Sequence, residues 1–206
     1  MSRFTIAAIA LLTMATGQAA MADVFSVNPA GDYLHTNGDA AANPLIIDLS
    51  ALSFTVHDGD VLHLQRQGGF KSSSSATDDH TSLIGVFSSS NTLLISSNTA
   101  RVPGALAAGT PFVTAANGGQ ATDIPQDFLI DTDTVYTGIT PAFSSVNVQV
   151  PVGAHFLFIA THDSFYSDNT DPNADFGIAV TATPEPASLA MLGISAAGLL
   201  LRRRKA

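Results

Sequence analysis

Hydrophobic and polar residues alternate along much of this chain with the two-residue period of β-strands. The segments VLHLQ (residues 61–65) and SSVNVQV (residues 144–150) alternate as strands with one buried face do. The segment HFLFIAT (residues 155–161) is continuously apolar and aromatic, which suits a strand in the core of a sandwich. No helical period occurs between residues 23 and 183. The pattern therefore predicts an all-β protein, an antiparallel β-sandwich.

The remaining segments complete this prediction. Residues 24–28 are expected to form a first strand, and residues 45–56 one or two more. Residues 68–80 are small and polar and predict a loop, whereas residues 82–97 predict two strands joined by a Ser–Asn turn. Residues 101–127 are rich in Gly, Pro and Ala and predict a long irregular connection. We assign residues 23–183 to one sandwich domain.

The first 22 residues have the pattern of a secretory signal peptide. Arg3 precedes an apolar run over residues 6–14, and an Ala-x-Ala cleavage pattern ends at Ala22. We expect cleavage to leave Asp23 as the new N-terminus.

The last 23 residues (184–206) resemble the PEP-CTERM sorting signal. They contain in order a Pro-Glu-Pro triplet, an apolar run over residues 187–201 and a basic terminus; the triplet and cluster are Pro184, Glu185, Pro186, Arg202, Arg203, Arg204 and Lys205. The apolar run predicts a transmembrane helix, short against the usual length of about 20 residues, which flanking residues would extend. The resemblance implies that an exosortase in the inner membrane of a Gram-negative bacterium removes or exchanges this tail during export to the cell surface or extracellular matrix.

Charge and cysteine content exclude several classes of function. Residues 23–183 contain 16 aspartates and only three basic residues, so nucleic acid is not an expected partner, because phosphate binding needs clustered Lys and Arg. The chain has no cysteine, which excludes disulfides and thiolate metal sites. Its six histidines include no zinc-binding pair at helical spacing, and His162, Asp163 and Ser164 are adjacent in sequence, which is not evidence for a catalytic triad. We expect no enzymatic activity.

Acidic and amide side chains concentrate between residues 162 and 176, a segment that we call the acidic loop. They are Asp163, Asp168, Asn169, Asp171, Asn173 and Asp175. So many oxygen ligands with little basic charge nearby predict a calcium site, because calcium takes roughly 6–8 oxygen ligands in flexible geometry. The alternative is a solvated turn, since Asn and Asp also favour turns through local hydrogen bonds.

Three segments together resemble the bacterial calcium-dependent, galactose-binding lectin family, a small jelly-roll sandwich. They are HDGDVLHL (residues 57–64), SLIGVF (residues 82–87) and VPVGAHFLFIATHDSFYSDN (residues 150–169). The resemblance implies that calcium is bound by the side chains of Asp163, Asp168 and Asn169 and by the backbone carbonyls of Phe165 and Ser73. In that family sugar hydroxyls complete the calcium shell, and His80 matches a histidine that faces the sugar.

Residues 171–174 form an insertion relative to that family, and they leave the use of the ion open. Asp171 or Asp175 would either fill the last coordination position of the ion or form one wall of a sugar pocket. The leading hypothesis is a surface-exported module that binds calcium and, through it, polysaccharide. The alternative is a structural matrix protein in which any calcium site only rigidifies a loop.

Overall fold

The computed structural model describes residues 21–34, 42–95, 101–109, 124–131, 144–163 and 165–183. Within these ranges the regular structure is β-strand, apart from two 3-10 turns at Leu49–Ala51 and Tyr166–Asp168. The strands are β1 (Ala22–Ser26), β2 (Leu45–Asp48), β3 (Val61–Gln67), β4 (Leu83–Ser88), β5 (Ala105–Leu106), β6 (Phe128–Asp131), β7 (Ser145–Gln149), β8 (Phe156–Thr161) and β9 (Gly177–Ala182).

The strands form two antiparallel sheets, as the alternation pattern predicted. Sheet 1 has the order β1-β9-β3-β7, and sheet 2 has the order β2-β8-β4. The far edge of β4 is shared, because β6 pairs with Leu83–Gly85 and β5 with Phe87 and Ser88. The prediction of an all-β sandwich is therefore confirmed.

The core lies between the two sheets and explains the alternation in sheet 1. Leu62 and Leu64 of β3 and Val148 of β7 are fully buried, whereas His63 between the leucines is half-buried. They pack against apolar residues of β4, β6 and β8 in one cluster. His63 bonds across the sheet through Nδ1 to Asn147 Oδ1 at 2.8 Å, as expected for a histidine on the polar face.

Strands β4, β6 and β8 of sheet 2 are buried on both faces, which is why they are mainly apolar. Every residue of β4 and β6 is buried. On the outer face, Ile84, Leu129 and Phe158 form a second cluster with Leu34 and Val102, which belong to the connecting segments. The irregular connecting segments therefore cover the outer face of sheet 2.

The structure defines two of the predicted elements more closely. After β4, Ser88 Oγ donates to the carbonyl of Ser90 at 2.6 Å in the expected turn, and residues 89–94 form no strand; residues 96 and 97 of the predicted second strand lie outside the described ranges. In residues 45–56 a single strand ends at Asp48, whose side chain accepts from Ser50 N at 2.9 Å and caps the first 3-10 turn.

Several predictions concern residues outside the described ranges. The signal peptide up to residue 20, the Pro-Glu-Pro triplet, the apolar run at 187–201 and the basic terminus all lie there. In the part of the chain that the structure describes, no helix combines the length and hydropathy needed to cross a membrane.

The sandwich has two ends with different contents. At the loop end, β3 leads into residues 68–80, and β8 leads through the acidic loop into β9. The segment that follows β1 also lies at this end, because Ser26 pairs with Gly177, the first residue of β9. At the terminus end, the first residue of β1 pairs with Thr181 of β9. This second end also carries the turns at residues 57–60 and 150–155, which precede β3 and β8.

Candidate functional site

The acidic loop leaves β8 with its first carboxylate turned inward. Asp163 is only 6% exposed, and its Oδ1 accepts a hydrogen bond from Phe165 N at 2.9 Å. The chain then forms the 3-10 turn Tyr166–Asp168, which leaves Asp168 exposed and returns Asn169 to the interior at 2% exposure. The structure therefore buries Asp163 and Asn169 and places Asp168 at the surface of the same loop.

Asn169 has one satisfied and one unsatisfied polar atom. Its Nδ2 donates to the carbonyl of Pro29 at 3.1 Å, whereas its buried Oδ1 has no hydrogen-bond partner among the described residues. A buried acceptor without a donor costs about 1–3 kcal/mol. Calcium bonds to amide oxygens of this kind, so the atom that the fold leaves unsatisfied fits a cation ligand.

Residues 68–80 lie beside the acidic loop and are hydrogen-bonded to it. Lys71 N donates to the carbonyl of Thr170 at 2.8 Å, and Thr170 N donates to the carbonyl of Lys71 at 3.0 Å. The predicted ligand Ser73 lies two residues further on, but its hydrogen bonds in the described structure stay within its own turn. Its carbonyl accepts from Ala76 N at 3.2 Å, and its hydroxyl lies 3.4 Å from that of Ser75. No contact joins Ser73 to the acidic loop in the part of the chain described.

His80 lies at the other edge of the same segment, against the core. It exchanges both backbone hydrogen bonds with Phe70, at 2.9 and 3.0 Å, and the two rings are 6.0 Å apart. Phe70 in turn contacts Phe176 of the acidic loop, with ring centroids 4.9 Å apart. The His80 side chain is half-buried, so this arrangement fixes its position beside the acidic loop.

The inserted segment is held by its own carboxylates. Asp171 accepts from the backbone N–H groups of Asp175 and Phe176, at 3.3 and 3.0 Å. Asp175 accepts from Gly69 N and from the side chain of Asn173, both at 3.1 Å. These four bonds occupy both carboxylate oxygens of Asp171 and both of Asp175.

Backbone geometry keeps this insertion close to the first loop. Gly68 has φ +57°, and a Cβ at this position would lie 2.0 Å from Asp175 Oδ1, so a side chain here is excluded on both counts. Ala174 has φ 58°, an unfavourable conformation for a residue with a side chain. Strained backbone of this kind occurs frequently at ligand-binding sites.

The segment after β1 forms a further wall that sequence reasoning missed. The Tyr33 ring stacks on the Tyr166 ring with centroids 3.8 Å apart and planes at 15°. The carbonyls of Pro29 and Asp32 both accept from the Thr161 hydroxyl, at 3.3 and 3.2 Å. Pairing of β1 with β9 brings this segment to the acidic loop, so no local sequence signal reveals it.

Two groups in this segment have altered proton affinity. Burial raises the pKa of Asp32, opposed by the hydrogen bond that its Oδ2 accepts from Asn28 N at 2.6 Å. Burial, assisted by the neighbouring phenol of Tyr166, raises the pKa of Tyr33. Burial therefore disfavours the negatively charged form of these two side chains.

Two of the three basic residues in residues 23–183 serve the scaffold. Arg66 Nε lies 2.8 Å from Asp131 Oδ2 in a largely buried ion pair, and the same guanidinium donates to the carbonyl of Gly68. Arg101 is 1% exposed and donates to the carbonyl of Leu34 at 3.0 Å. These contacts join the two guanidinium groups to Asp131, Gly68 and Leu34.

The described residues contain no group of three or more His, Cys, Asp or Glu side chains close enough to hold a metal ion. A cation at the loop end would therefore take part of its shell from amide and carbonyl oxygens. Asn169 Oδ1 is one such oxygen, and the resemblance to the lectins assigns the Phe165 carbonyl as another. Calcium accepts mixed oxygen shells of this kind.

The terminus end contains a cleft of about 440 Å³. Its polar lining residues include Asp48, Ser50, His57, Asp58 and His155. Their carboxylates are paired locally: Asp48 Oδ1 accepts from Ser50 Oγ at 2.7 Å, and Asp58 Oδ1 accepts from Gly153 N at 3.2 Å. Hydrogen bonds from Ser50, with a smaller contribution from His155, lower the pKa of Asp48.

Comparison with known proteins identifies the C-terminal segment. Residues 182–205 match the family model of the PEP-CTERM protein-sorting motif. This match supports export toward the cell surface with an exosortase as the processing partner. No curated protein and no solved structure matches the chain.

Proposed function

We propose that the mature chain is a non-enzymatic, surface-exported binding module that holds calcium in the acidic loop and binds polysaccharide through that ion. The proposed ligands are Asp163, Asp168, Asn169 and the carbonyl of Phe165. The observation that carries this proposal is the buried Oδ1 of Asn169, which has no hydrogen-bond partner among the described residues. The resemblance to the calcium-dependent lectins independently names the same residue.

The energetic argument for a cation has two parts. Asp163 and Asp168 lie in the same loop as the unsatisfied oxygen of Asn169, whereas Arg66 and Arg101 bond to Asp131 and to the carbonyl of Leu34. Burial already raises the pKa of Asp32 beside this loop, which indicates an environment that penalises uncompensated negative charge. A bound divalent ion would supply positive charge and satisfy the buried amide oxygen of Asn169.

The insertion supports an ion whose last coordination position remains open. Asp171 and Asp175 direct their oxygens to N–H groups within the loop and to Gly69, so they are engaged without an ion. Sugar hydroxyls would then occupy the remaining position of the calcium shell. Tyr33, Tyr166 and His80 lie on the elements around this position, and aromatic faces of this kind suit contact with a sugar ring.

The direction of β9 supports the same function. The acidic loop precedes β9, and the sorting motif begins at Ala182, where the strand ends. Six strand residues span about 20 Å, so the loop end and the attachment point lie on opposite ends of the sandwich. A chain held at the surface through its C-terminal segment would present the acidic loop outward, toward matrix polysaccharide.

Export and processing of the chain are tested by a separate experiment. We propose that the chain crosses the inner membrane of a Gram-negative cell, is held there transiently by residues 187–201, and loses the tail to an exosortase. The intact mass of protein recovered from the cell surface should correspond to a chain that begins at Asp23 and ends near Pro186. Recovery of a chain that still contains Arg202 to Lys205 would contradict this processing.

A glycan array tests the binding function directly. The processed chain is applied with calcium and with chelator, beside Asp168→Ala and the matched control Asp58→Ala from the terminus end. We expect calcium-dependent binding by the wild type and by Asp58→Ala, and loss of binding by Asp168→Ala. Calcium binding without any glycan bound would favour the alternative, a structural matrix protein in which the ion rigidifies a loop.

A further inference from the structure

The rings of Tyr33 and Tyr166 form a stacked pair that joins two segments distant in sequence. Their centroids are 3.8 Å apart and their planes are at 15°, so the rings lie almost face to face. Both side chains are half-buried, and solvent therefore reaches the pair. We propose that this pair is an oxidative modification site, at which a one-electron oxidant joins the two rings by a carbon–carbon bond as an intrachain dityrosine. The inference does not depend on the calcium site proposed above.

The composition of the chain directs oxidation to its tyrosines. Cysteine and methionine are the side chains that oxidants usually attack first, and tryptophan also loses one electron readily. The chain has no Cys and no Trp. Its four methionines all lie in the signal peptide or in the sorting signal: Met1, Met14, Met21 and Met191. Residues 23–186 therefore contain none of these three residue types, but they contain all three tyrosines, Tyr33, Tyr136 and Tyr166.

Backbone contacts fix the positions of both tyrosines. Tyr33 exchanges its two backbone hydrogen bonds with Asn43, at 2.9 and 3.1 Å. Tyr166 begins the second 3-10 turn, and its carbonyl accepts from Asn169 N at 3.1 Å. The Asn169 side chain donates to the carbonyl of Pro29 at 3.1 Å, which ties this turn to the segment that contains Tyr33. The stacked arrangement is therefore supported by the fold on both sides.

The two phenol groups lie on the same side of the stack. Burial raises the pKa of Tyr33, and a side-chain hydrogen bond with the phenol of Tyr166 adds to this rise. Hydrogen-bonded hydroxyl groups on nearly parallel rings require the rings to be aligned head to head. The ortho carbon beside each hydroxyl, where a tyrosyl radical holds much of its unpaired electron, then lies over the other ring.

The new bond forms across the stack, between the faces of the two rings. Each phenol gives one electron to the oxidant and one proton to water, and becomes a phenoxyl radical. The two unpaired electrons pair in one bond between ortho carbons, whose p orbitals point toward the opposite ring. Each of these carbons then loses its hydrogen as a proton while the oxygen of its ring takes up a proton, which restores both aromatic rings. The chain loses two hydrogen atoms in total, and the oxidant gains two electrons.

The oxidant belongs to a defined chemical class. It must accept one electron at a time, as the high-valent haem of a peroxidase or a photo-oxidised metal complex does. The protein contributes proximity, because rings already held in contact couple in an intramolecular step. Two radicals on separate chains must first meet by diffusion, so dilute protein favours the intrachain bond.

The cross-link would fasten the segment after β1 to the acidic loop covalently. A chain without cysteine has no disulfide, and a dityrosine would supply a covalent bond between distant residues instead. Such bonds stabilise a fold by restricting the unfolded chain, and more so when the closed loop is long. The midpoint of urea unfolding should therefore be higher for the cross-linked chain than for the untreated chain.

The test is oxidation of the processed chain at micromolar concentration by photo-oxidised ruthenium tris(bipyridine), with persulfate as the electron acceptor. The wild type and the matched control Tyr136→Phe should yield a monomer that has lost two hydrogen atoms. Peptide mapping by mass spectrometry should join Tyr33 to Tyr166 in this monomer. Tyr33→Phe and Tyr166→Phe should each lose the product, because phenylalanine forms no phenoxyl radical. Unfolding the wild type in urea before illumination should lower the intrachain yield at least about tenfold.

The peptide map of the wild type decides the inference without reliance on any variant. A monomer without a bond between Tyr33 and Tyr166 would overturn it, and so would a cross-link formed only between two chains. An intrachain yield that urea leaves unchanged would show that the stack is not responsible, and would also overturn it. Melting curves of the Phe variants before illumination identify any variant that has lost the fold.

Discussion

The two ends of the sandwich differ in whether they contain buried side-chain oxygens without a hydrogen-bond partner among the described residues. At the terminus end, Asp48 and Asp58 have carboxylate oxygens that accept hydrogen bonds from Ser50 and Gly153. At the loop end, oxygens of Asp78 and Asn169 are buried without a partner among the described residues. The carboxylates of Asp48 and Asp58 are thus satisfied by the protein itself, whereas the loop end has two buried oxygens for which the described residues supply no donor.

The proton affinities show the same contrast. Hydrogen bonds to the charged form lower the pKa of Asp48, and burial raises the pKa of Asp32. A carboxylate stabilised by local donors needs no ion, but one that is desolvated gains from a nearby positive charge. The comparison teaches that acidic composition alone does not locate a cation site. What locates it is which individual oxygens are buried without a hydrogen-bond donor.

The largest expected difference between the ends is the response of stability to calcium. At a calcium concentration roughly a hundredfold above the dissociation constant, the free energy of unfolding should rise by about 2.7 kcal/mol. Melting curves of the processed chain with calcium and with chelator should separate accordingly. Asp163→Ala should abolish the separation and Asp58→Ala should keep it; identical wild-type curves would remove the metal site altogether.

The second-largest effect is expected for the stacked rings of Tyr33 and Tyr166, which join the segment after β1 to the acidic loop. Aromatic pairs contribute about 0.5–1.5 kcal/mol beyond area burial. A double-mutant cycle with Tyr33→Leu and Tyr166→Leu, followed by urea unfolding in chelator, should give a coupling energy of about 1 kcal/mol. Additive effects would mean that the segment is held only by its backbone contacts to Thr161 and Asn169.

Asp32 should make the wild type less stable as pH rises. Its pKa in the folded state is raised above the ordinary value of 3.8, so the folded protein holds this proton more tightly than the unfolded chain. Its stabilising contribution is complete below pH 3.8 and is lost as pH rises through the folded pKa. Urea unfolding between pH 3 and 7 in chelator should show this decline in the wild type relative to Asp32→Asn; a flat difference would contradict the burial argument.

Asp48 should give the smallest effect and the opposite sign. Its pKa is lowered, so its contribution is present above the ordinary value of 3.8 and is lost as pH falls through the lower folded pKa. The same unfolding series, with Asp48→Asn in place of Asp32→Asn, should therefore show a wild-type advantage that grows with pH. If the stability difference from the wild type changed with pH in the same direction for Asp32→Asn and Asp48→Asn, the contrast between the two ends would be wrong.

The strands were predictable from sequence because burial imposes its period on them. VLHLQ alternates because Leu62 and Leu64 face the core, and HFLFIAT is mainly apolar because β8 is covered on both faces. The second strand expected after β4 is absent from the described residues 89–94, and the serines at the start of this segment bond to nearby backbone groups. Polar residues that bond locally carry no period that a sequence pattern could detect.

By itself the sequence determined the fold class, the sorting motif and the segment in which acidic residues concentrate, since each depends on composition or on neighbours along the chain. Tertiary structure alone decided which of these oxygens are buried without partners. Asn169 loses solvent because β1 pairs with β9 and brings Pro29 against it. Asp78 and Asp79 are adjacent and chemically identical, yet of the two only Asp78 has a buried oxygen without a partner among the described residues. Burial and hydrogen bonding between distant segments are properties of the folded chain, so the candidate ligands could be counted from the sequence but distinguished only in three dimensions.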